Sequence, residues 1–445
     1  MGKKKEEEEM KREIEKEEIE VEVPEGKRGR LTKHKFEYKR RIPYKDWKYS
    51  IIDRSPIGTG GGGVVFKAEP REEGEVVIGG KKERYAVKIL RKMRDIIEKT
   101  LAEDQRQKSV FEKEVRFAKF GELMNLTDIV VRIFDYGTLT NLPKEIGIQL
   151  YKDPFGWDPA ALWDPDDEFY FIVMEKMHGD MVQWIRNINL TEKFTAYDAL
   201  RKQMFEIFKS LVFALYRLIK IGIMLNDIKP GNILYMVDRD IEPPALILKF
   251  ADYGLSCFYE KIPEEVTKAT TEEEITIWEE LPPEADVRRN NCTEDTFGLT
   301  EAYADPQYSK DSIDDFETIA ARNIWALGQT MLKILTLDMK IIYIARRFGT
   351  KEYRMLAHRF MNNLGFTPVY YLDLLIQPYF KPKLFPVVEE LEVALKSLSI
   401  LLQLGPEKRL KGFIDLYKGY KYPPTIEEVK TLEFYRLKSR SALNI

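Results

Sequence analysis

A short polar segment between two apolar runs constrains this chain more than any other feature. It extends from Leu225 to Leu234 with the sequence Leu-Asn-Asp-Ile-Lys-Pro-Gly-Asn-Ile-Leu. The apolar run 211–224 before it predicts a buried helix, and residues 233–236 after it predict a short strand. The charged groups should therefore lie on a loop held between two packed elements, where catalytic residues are often found.

This loop brings together Asp227, Lys229 and Asn232, which supply a proton acceptor, a cation and a metal-binding amide. Phosphoryl transfer needs such parts at one place, because a hydroxyl must be oriented, a phosphate neutralised and Mg²⁺ held. Taken singly, Asp227, Asn232 and the later Asp252 are more often turn formers or helix caps. Their role therefore depends on what the rest of the chain supplies.

A glycine-rich segment lies far upstream, at residues 57–66. Gly58, Gly60 and Gly63 fit the spacing G-x-G-x-x-G, and glycine lets a backbone come close to phosphate oxygens. Four consecutive glycines could also be a bare linker. The β-type runs on both sides predict a hairpin instead, and no helix follows, as a dinucleotide-binding fingerprint would require.

Lys88 stands in an otherwise apolar predicted strand, 84–90. Lysine is seldom fully buried without a partner. The segment 92–124 predicts a long helix, and Glu114 on that helix could reach back to Lys88. The alternative is that Lys88 extends into solvent at a strand edge. Further strands are predicted at 76–78, 127–136 and 169–174.

Composition limits the class of protein. With 445 residues, the chain is long enough for two lobes and extensions, and its net charge of −3 gives no reason to expect nucleic acid or a membrane surface as partner. No segment has the roughly 20 apolar residues needed to span a bilayer. Cys257 and Cys292 cannot form a disulfide framework, so a reducing compartment is the simpler assumption, with a single bridge left open. We expect a cytoplasmic protein, or a secreted effector if a signal peptide has been removed.

Three segments outside the main motifs also carry structural predictions. Residues 1–20 are almost wholly Lys and Glu, which predicts a solvated helix or a disordered tail rather than a core element. Short alternating runs in 21–49 predict a strand or two. The insertion 142–167 is longer than a hairpin loop and too aromatic to lack structure. Residues 175–179 then predict a linker between a strand-rich and a helix-rich half.

The order of these motifs resembles that of eukaryotic-type protein kinases, over roughly residues 49–410. Asp252-Tyr253-Gly254 and the segment 300–307 are similar to the family's metal-binding and substrate-docking motifs. The resemblance implies an α+β bilobal kinase fold, with a small antiparallel sheet lobe plus its αC helix and a larger, mostly helical lobe. The implied parts are a charged extension at 1–48, the small lobe at 49–176 with its insertion 142–167, the large lobe at 177–420 with a long activation segment at 252–307, and a tail at 421–445.

The same resemblance implies ATP- and Mg²⁺-dependent phosphorylation of Ser or Thr hydroxyls in protein substrates. Asp227 would accept or orient the hydroxyl, and Lys229 would stabilise the transferring group. Lys88, oriented by Glu114, would hold the α- and β-phosphates. Asn232 and Asp252 would bind Mg²⁺. The residues implied in ATP binding are Gly58, Gly60, Gly63, Val65, Ala86, Lys88, Met174, Glu175, Met177 and Leu234. Thr300 would dock the substrate and, like Lys229, is of the serine/threonine type.

Several residues depart from the family pattern. Asn226 replaces an Arg that clamps a phosphorylated activation loop, so we expect activity not to depend on phosphorylation sensed there. Leu225 replaces a His that packs within the family's internal apolar spine, and we expect the apolar Leu side chain to pack there as well. Asn323 replaces an Asp that braces the catalytic loop, and Gln307 replaces a Glu that pairs with Arg409. These two changes predict a less stable second lobe with its chemistry intact.

Some functional questions stay open at this level. The acidic run 264–286 is either a solvated insertion or a lid that self-inhibits or recruits basic substrates. A pseudokinase scaffold would bind nucleotide or partners without efficient transfer, although pseudokinases usually lack one of the residues retained here. A small-molecule kinase shares the core but normally lacks the 300–307 loop. The sequence predicts neither the protein substrate nor the oligomeric state.

Overall fold

The computed structural model describes most of the first 259 residues and several shorter segments after them. The described residues are 16–25, 30–60, 62–71, 77–78, 81–82, 85–93, 101–152, 159–190, 195–238, 245–259, 292, 300, 303–305, 315–336, 397–398, 400–402 and 405–419. They fall into two compact units. The first lies within residues 1–23, 31–176 and 252–254, and the second within 24–30, 177–251 and 255–445. The division after residue 176 falls inside the segment predicted as a linker.

The first unit contains most of the strands. Its elements are β1 Lys16–Glu25, β2 Arg30–Pro43, a 3₁₀ turn Tyr44–Asp46, β3 Tyr49–Ile51, β4 Gly58–Thr59, β5 Gly63–Pro70, β6 Val77–Ile78, β7 Lys81–Lys82, β8 Tyr85–Leu90, β9 Lys92–Met93, α1 Leu101–Leu123, β10 Ile133–Thr140, α2 Lys144–Gly147, a 3₁₀ turn Ile148–Leu150, β11 Tyr151–Lys152, α3 Pro159–Leu162 and β12 Phe169–Glu175. The long predicted helix is thus α1, preceded by the short strand β9. The strand predicted at 127–136 begins later, at Ile133.

Eight strands form one sheet in the order β1-β2-β10-β12-β8-β5-β3, with β4 paired to β5. The pairs from β10 through β12, β8 and β5 to β3 are antiparallel, as is β4 with β5. The strand β2 joins β10 in parallel. The predicted antiparallel sheet is therefore present, and the chain before it adds two further strands.

Strand alternation gives this sheet two different faces. One face carries Val64, Phe66, Val87 and Phe171, all buried in a core with Trp47. Their neighbours along each strand point the other way, because successive side chains alternate between faces. The registers Val65↔Lys88, Met174↔Ala86 and Ile172↔Lys88 place the opposite set on one common face.

The insertion 142–167 covers the core face of the sheet, in its described parts. Leu142, Ile146 and Leu150 are buried in the same core, and β11 pairs in parallel with β9. The Tyr151 hydroxyl donates a hydrogen bond to Asp167 and accepts one from a backbone N–H of the same segment. The prediction that this insertion is structured is confirmed there.

The prediction for residues 1–20 is wrong for residues 16–20, which belong to β1. Ile19 is only 1% exposed and Val21 is equally buried, whereas Lys16 and Glu18 face solvent. Charge and apolar residues thus alternate with a period of two, the pattern of a strand with one solvated face. The abundance of Lys and Glu conceals this alternation in the sequence.

The second unit is mostly helical. Its elements are β13 Gly179–Asp180, α4 Met181–Leu190, α5 Thr195–Lys220, β14 Ile223–Met224, a 3₁₀ turn Pro230–Asn232, β15 Ile233–Asp238, β16 Ala245–Phe250, β17 Cys257–Phe258, α6 Phe316–Thr336 and α7 Pro406–Gly419. The strands β13, β15 and β16 form one small sheet, and β14 pairs with β17. Both elements predicted around the polar loop are present, as α5 and β15. Within the part of the chain described here, no helix is long and apolar enough to cross a membrane.

Close contacts pack the helices α5, α6 and α7 of the second unit together. A Cβ built on Gly328 would lie 2.7 Å from the Leu402 side chain, so only glycine lets this neighbour approach so closely. On α5, the Tyr216 ring stacks on Tyr417 of α7 with centroids 3.5 Å apart. The three long helices therefore form one packed body.

The partner of Arg409 differs from the prediction. Arg409 is fully buried and forms an ion pair with Asp305, while its guanidinium also donates to the Ala321 carbonyl at 2.7 Å. Its guanidinium lies over the Trp325 ring, 4.9 Å from the centroid. The prediction gave this guanidinium no charged partner, whereas the structure pairs it with the carboxylate of Asp305, two residues before Gln307. Gln307 itself lies outside the described residues.

We expect Asp305→Asn to destabilise the second unit, because it removes the carboxylate that pairs with the buried guanidinium. Removing one partner of a buried ion pair typically costs about 3–5 kcal/mol of unfolding free energy. Urea unfolding measures this change. The matched control is Asp315→Asn, since Asp315 is exposed and accepts the Thr318 N–H at the start of α6. Equal losses in the two variants would contradict the structural role given to Asp305.

Candidate functional site

Lys88 lies in the middle of β8, where its ammonium is held by two carboxylates. Its Nζ lies 2.7 and 2.8 Å from the Glu114 oxygens and 3.1 Å from Asp252 Oδ1. Lys88 is 8% exposed and Glu114 is equally buried. Burial alone would lower the pKa of Lys88, but the carboxylates of Asp252 and Glu114 outweigh it and hold that pKa above its usual range. The alternative of a solvent-facing edge lysine is therefore excluded.

Asp252 and Tyr253 are fixed by the same unit. Asp252 has a φ of 64°, and its side chain keeps 45% exposure while bonding to Lys88. Tyr253 is buried, its ring stacks on Phe117 of α1 with centroids 6.3 Å apart, and its hydroxyl accepts the Val131 N–H at 3.3 Å. Burial raises the pKa of this hydroxyl. This anchoring places the Asp252 carboxylate beside Lys88 with one side still accessible.

The glycine segment forms the predicted hairpin between β4 and β5. The Gly60 N–H donates to the Gly63 carbonyl at 2.9 Å and closes the turn. A Cβ on Gly63 would lie 2.8 Å from the Ile89 carbonyl and 3.2 Å from the Lys88 side chain, so the close approach of the Ile89 backbone requires this glycine. At Gly58 and Gly60 an added Cβ would meet nothing closer than 3.7 Å. The surface there is open enough for a ligand to approach the backbone.

The other predicted nucleotide contacts are divided between the units. Val65, Ala86 and Met174 share the Lys88 face of the sheet in the first unit, and Glu175 follows at the end of β12. The Glu175 carboxylate accepts the Arg132 N–H at 2.8 Å, a contact that no sequence pattern announced. In the second unit, Met177 is buried, while Leu234 is half-buried in β15.

The second unit assembles the polar loop into one hydrogen-bonded set around Asp227. Lys229 Nζ lies 2.6 Å from Asp227 Oδ2, and the Thr300 hydroxyl donates to Oδ1 at 2.7 Å. Lys229 also donates to the Thr300 hydroxyl at 3.0 Å. Asn232 Nδ2 donates to the Asp227 carbonyl and carboxylate at 2.8 and 2.9 Å. All four residues predicted for this part of the site therefore meet.

This arrangement suits a bound cation. Both side-chain hydrogen bonds of Asn232 to Asp227 use its nitrogen, so its amide oxygen is the atom left to face a metal ion. Asp252 offers a carboxylate oxygen that is partly accessible. Oxygen atoms of this kind are the ligands that Mg²⁺ prefers. Taken separately, Asn232 in the second unit and Asp252 in the first each carry an oxygen of the kind that the predicted magnesium would need.

Comparison with known families decides the class of protein. The family described as the protein kinase domain matches residues 51–358, which is more than half of the chain. The chain belongs to the protein kinase family. A search of curated proteins found no match. The predicted α+β bilobal kinase fold is confirmed, and the family is one of phosphotransferases that act on proteins.

Two asparagines hold the polar loop in place. Asn323 Oδ1 on α6 accepts the backbone N–H groups of Leu225 and Asn226 at 3.0 and 2.9 Å. Its amide nitrogen donates to Asn226 Oδ1 at 3.2 Å and to the Ile319 carbonyl at 3.0 Å. Asn226 adopts a φ of 62°, a left-handed conformation that Asn tolerates well. Leu225 is buried, as its predicted packing role requires.

Asn226 also connects the loop to a disulfide bond. Its Nδ2 donates to the Leu255 carbonyl at 3.0 Å and contacts Cys257 Sγ at 3.1 Å. Cys257 is bonded to Cys292, which closes a loop with a sequence separation of 35. The bridge that the sequence left open is therefore present, and it does not support the assumption of a reducing compartment. The acidic run 264–286 inside this loop lies outside the described residues.

The kinase should lose stability when this bridge is removed. Chain entropy for a loop of this length corresponds to about 4 kcal/mol. We expect Cys257→Ser/Cys292→Ser to lower the free energy of unfolding in denaturant, and a thiol reductant to lower that of the parent to the same value. A double variant as stable as the oxidised parent would show that the bridge contributes nothing.

Proposed function

We propose that the protein is an active kinase, transferring the γ-phosphoryl group of ATP, with Mg²⁺, to Ser or Thr hydroxyls of proteins. The observation that carries this proposal is the complete set around Asp227, in which Lys229, Thr300 and Asn232 all bond to one carboxylate. The buried pair of Lys88 and Glu114 supports it from the other unit. A chain that had lost catalysis would have little reason to keep both sets.

Each residue of the Asp227 set has a chemical role in this proposal. The Asp227 carboxylate accepts a hydrogen bond from the Thr300 hydroxyl, and a substrate hydroxyl would bind the same oxygens. Lys229 lies close enough to Asp227 to neutralise charge that develops beside it. Asn232 holds Asp227 in place through its nitrogen and would give its oxygen to Mg²⁺. When bound, ATP would supply the phosphoryl group, and Mg²⁺ would offset the negative charge of its phosphates.

The first unit would bind the nucleotide. Lys88 stays protonated and would contact the α- and β-phosphates, with Glu114 fixing its direction. Gly58, Gly60 and Gly63 would cover the phosphates, and Asp252 would coordinate Mg²⁺. Val65, Ala86 and Met174 would face the adenine, together with Leu234. The backbone of 175–177 would hydrogen-bond to its edge.

The substrate class rests on Thr300. Its hydroxyl bonds to both Asp227 and Lys229, the contact by which a serine/threonine-type docking loop meets the catalytic loop. A preference for basic substrates rests on the acidic run 264–286 alone and stays a sequence-based prediction. It supposes that this acidic segment attracts positively charged peptides.

The test is a phosphotransfer assay with labelled ATP and Mg²⁺ on a peptide array. Peptides carry Ser, Thr or Tyr as the single acceptor, with lysine or glutamate flanks. We expect transfer to Ser and Thr peptides and none to Tyr. Asp227→Asn should lower turnover by about 100- to 10,000-fold, the usual range for removing a catalytic base, while nucleotide binding persists.

Binding is measured separately, as the thermal shift of the purified protein with ATP and Mg²⁺. Lys88→Met should abolish this shift, and Arg91→Met, a change in the same segment outside the site, should preserve it. A full thermal shift with no transfer to any peptide would overturn the proposal. The protein would then be a nucleotide-binding pseudokinase scaffold.

A further inference from the structure

The helix that carries Glu114 is held on a second side by the N-terminal strands. On α1, Lys108 Nζ lies 2.6 Å from Glu17 Oε2 of β1. Eight residues further along, Arg116 donates to the Glu20 carbonyl at 3.2 Å. Between them the Phe111 ring packs edge-on against Tyr38 of β2, with centroids 5.2 Å apart. The hairpin of β1 and β2 therefore contacts α1 over more than two helical turns, from Lys108 to Arg116.

These anchors lie on the opposite part of the helix from Glu114. At about 100° per residue, Lys108 and Arg116 are separated by roughly 80° around the axis. Glu114 lies roughly 120° from the first and 160° from the second by the same geometry. One side of α1 is thus fixed by the hairpin, and another presents Glu114 to Lys88.

Glu17 is the centre of the polar contacts that form this grip. Its carboxylate accepts hydrogen bonds from the Tyr38 hydroxyl and Arg40, in addition to the contact with Lys108. Arg40 in turn donates to both oxygens of Glu168, the residue before β12. Burial would raise the pKa of Glu17, but the hydrogen bonds from Lys108 and Tyr38 outweigh it and lower that pKa. The carboxylate is therefore charged and shared between two strands and the helix.

We propose that the β1–β2 hairpin is an intramolecular clamp on α1, and that Glu17 is a positioning residue that keeps Glu114 against Lys88. The inference rests on the proposed function of Lys88 and adds a role for the charged extension. A helix that can shift between two positions needs contacts that favour one of them. Here the chain supplies those contacts itself, through Glu17 and its neighbours.

The neighbouring residue Glu18 provides a matched control. It points to the solvent face of the same strand and pairs with Lys35 at 2.8 Å, with 48% and 57% of the two side chains exposed. Glu17→Gln and Glu18→Gln make the same chemical change one residue apart. Only the first removes a contact with α1.

The first readout is the acylation rate of Lys88 by an amine-selective ester, followed by mass spectrometry without nucleotide. A buried, doubly paired ammonium reacts only when the pair opens, so this rate reports a minor open state. Glu17→Gln should raise it about 5-fold, the equivalent of about 1 kcal/mol for a partly exposed pair, and Glu18→Gln should leave it unchanged. Glu114→Gln serves as the positive control.

Lys108→Gln tests the same contact from the helix and replaces Glu17→Gln if that variant fails to fold. The combination Glu17→Gln/Lys108→Gln should raise the rate less than the product of the single effects, because both remove one interaction. The kcat/KM for peptide phosphorylation should fall in the same order. The labelling readout needs no catalysis, so an inactive protein would overturn the proposed function and still test the clamp.

Unfolding in urea separates positioning from general stability. Urea is added to the Glu18→Gln protein until its free energy of unfolding equals that of Glu17→Gln. If the hairpin acts as a clamp, Lys88 should still be labelled faster in Glu17→Gln. If Glu17→Gln lowers stability but labels Lys88 at the rate of the parent, Glu17 is only a structural residue and the proposal is wrong. Additive effects of Glu17 and Lys108 would overturn it as well.

Discussion

The first unit depends on keeping an ammonium group charged inside an apolar sheet. Taking two charges out of water costs several kcal/mol per ion, so Lys88 is tolerable only with partners in good geometry. Glu114 supplies two oxygens from α1 and Asp252 a third from the segment that Tyr253 anchors. Three elements distant in sequence must therefore take up fixed positions. The same strand pairing requires glycine at position 63, because a Cβ there would lie 2.8 Å from the carbonyl of Ile89, the residue after Lys88.

In the second unit, neutral amide side chains hold the polar loop in place of charged ones. Asn226 and Asn323 stand where the family has an Arg and an Asp, and the two amides bond to each other and to the loop backbone. Because both positions are neutral, neither leaves a buried charge without a partner. Arg409 shows the opposite case, since it keeps its charge and Asp305 moves into the role of the missing carboxylate. Departures from the family pattern thus come in compensating sets, and a single position does not indicate instability.

Sequence alone predicts the features whose chemistry is local. A lysine in an apolar strand predicts a buried partner, glycines between β-type runs predict a hairpin, and a polar loop between apolar runs predicts a catalytic segment. The sequence does not predict that Asp305 pairs with Arg409, because the two residues are far apart in the chain and meet only in the folded structure. The Cys257–Cys292 bridge is equally hidden, since two cysteines do not state whether they meet. In β1, six charged residues in ten obscure the alternation that buries Ile19 and Val21.

The neutral residue at 226 changes how this kinase connects its catalytic loop to the segment after Gly254. An Arg at that position would attract a phosphate, whereas a neutral amide donates to a carbonyl and, more weakly, to a sulfur atom. Here Asn226 bonds to Leu255 and contacts Cys257, whose bridge holds Cys292. The loop and this segment are therefore connected by hydrogen bonds and a disulfide bond, and this connection needs no added phosphate. The helix α1 is likewise held by residues of the same chain, because Glu17 and Tyr38 belong to its N-terminal strands. The polar loop and α1 thus both take their positions from contacts within the molecule.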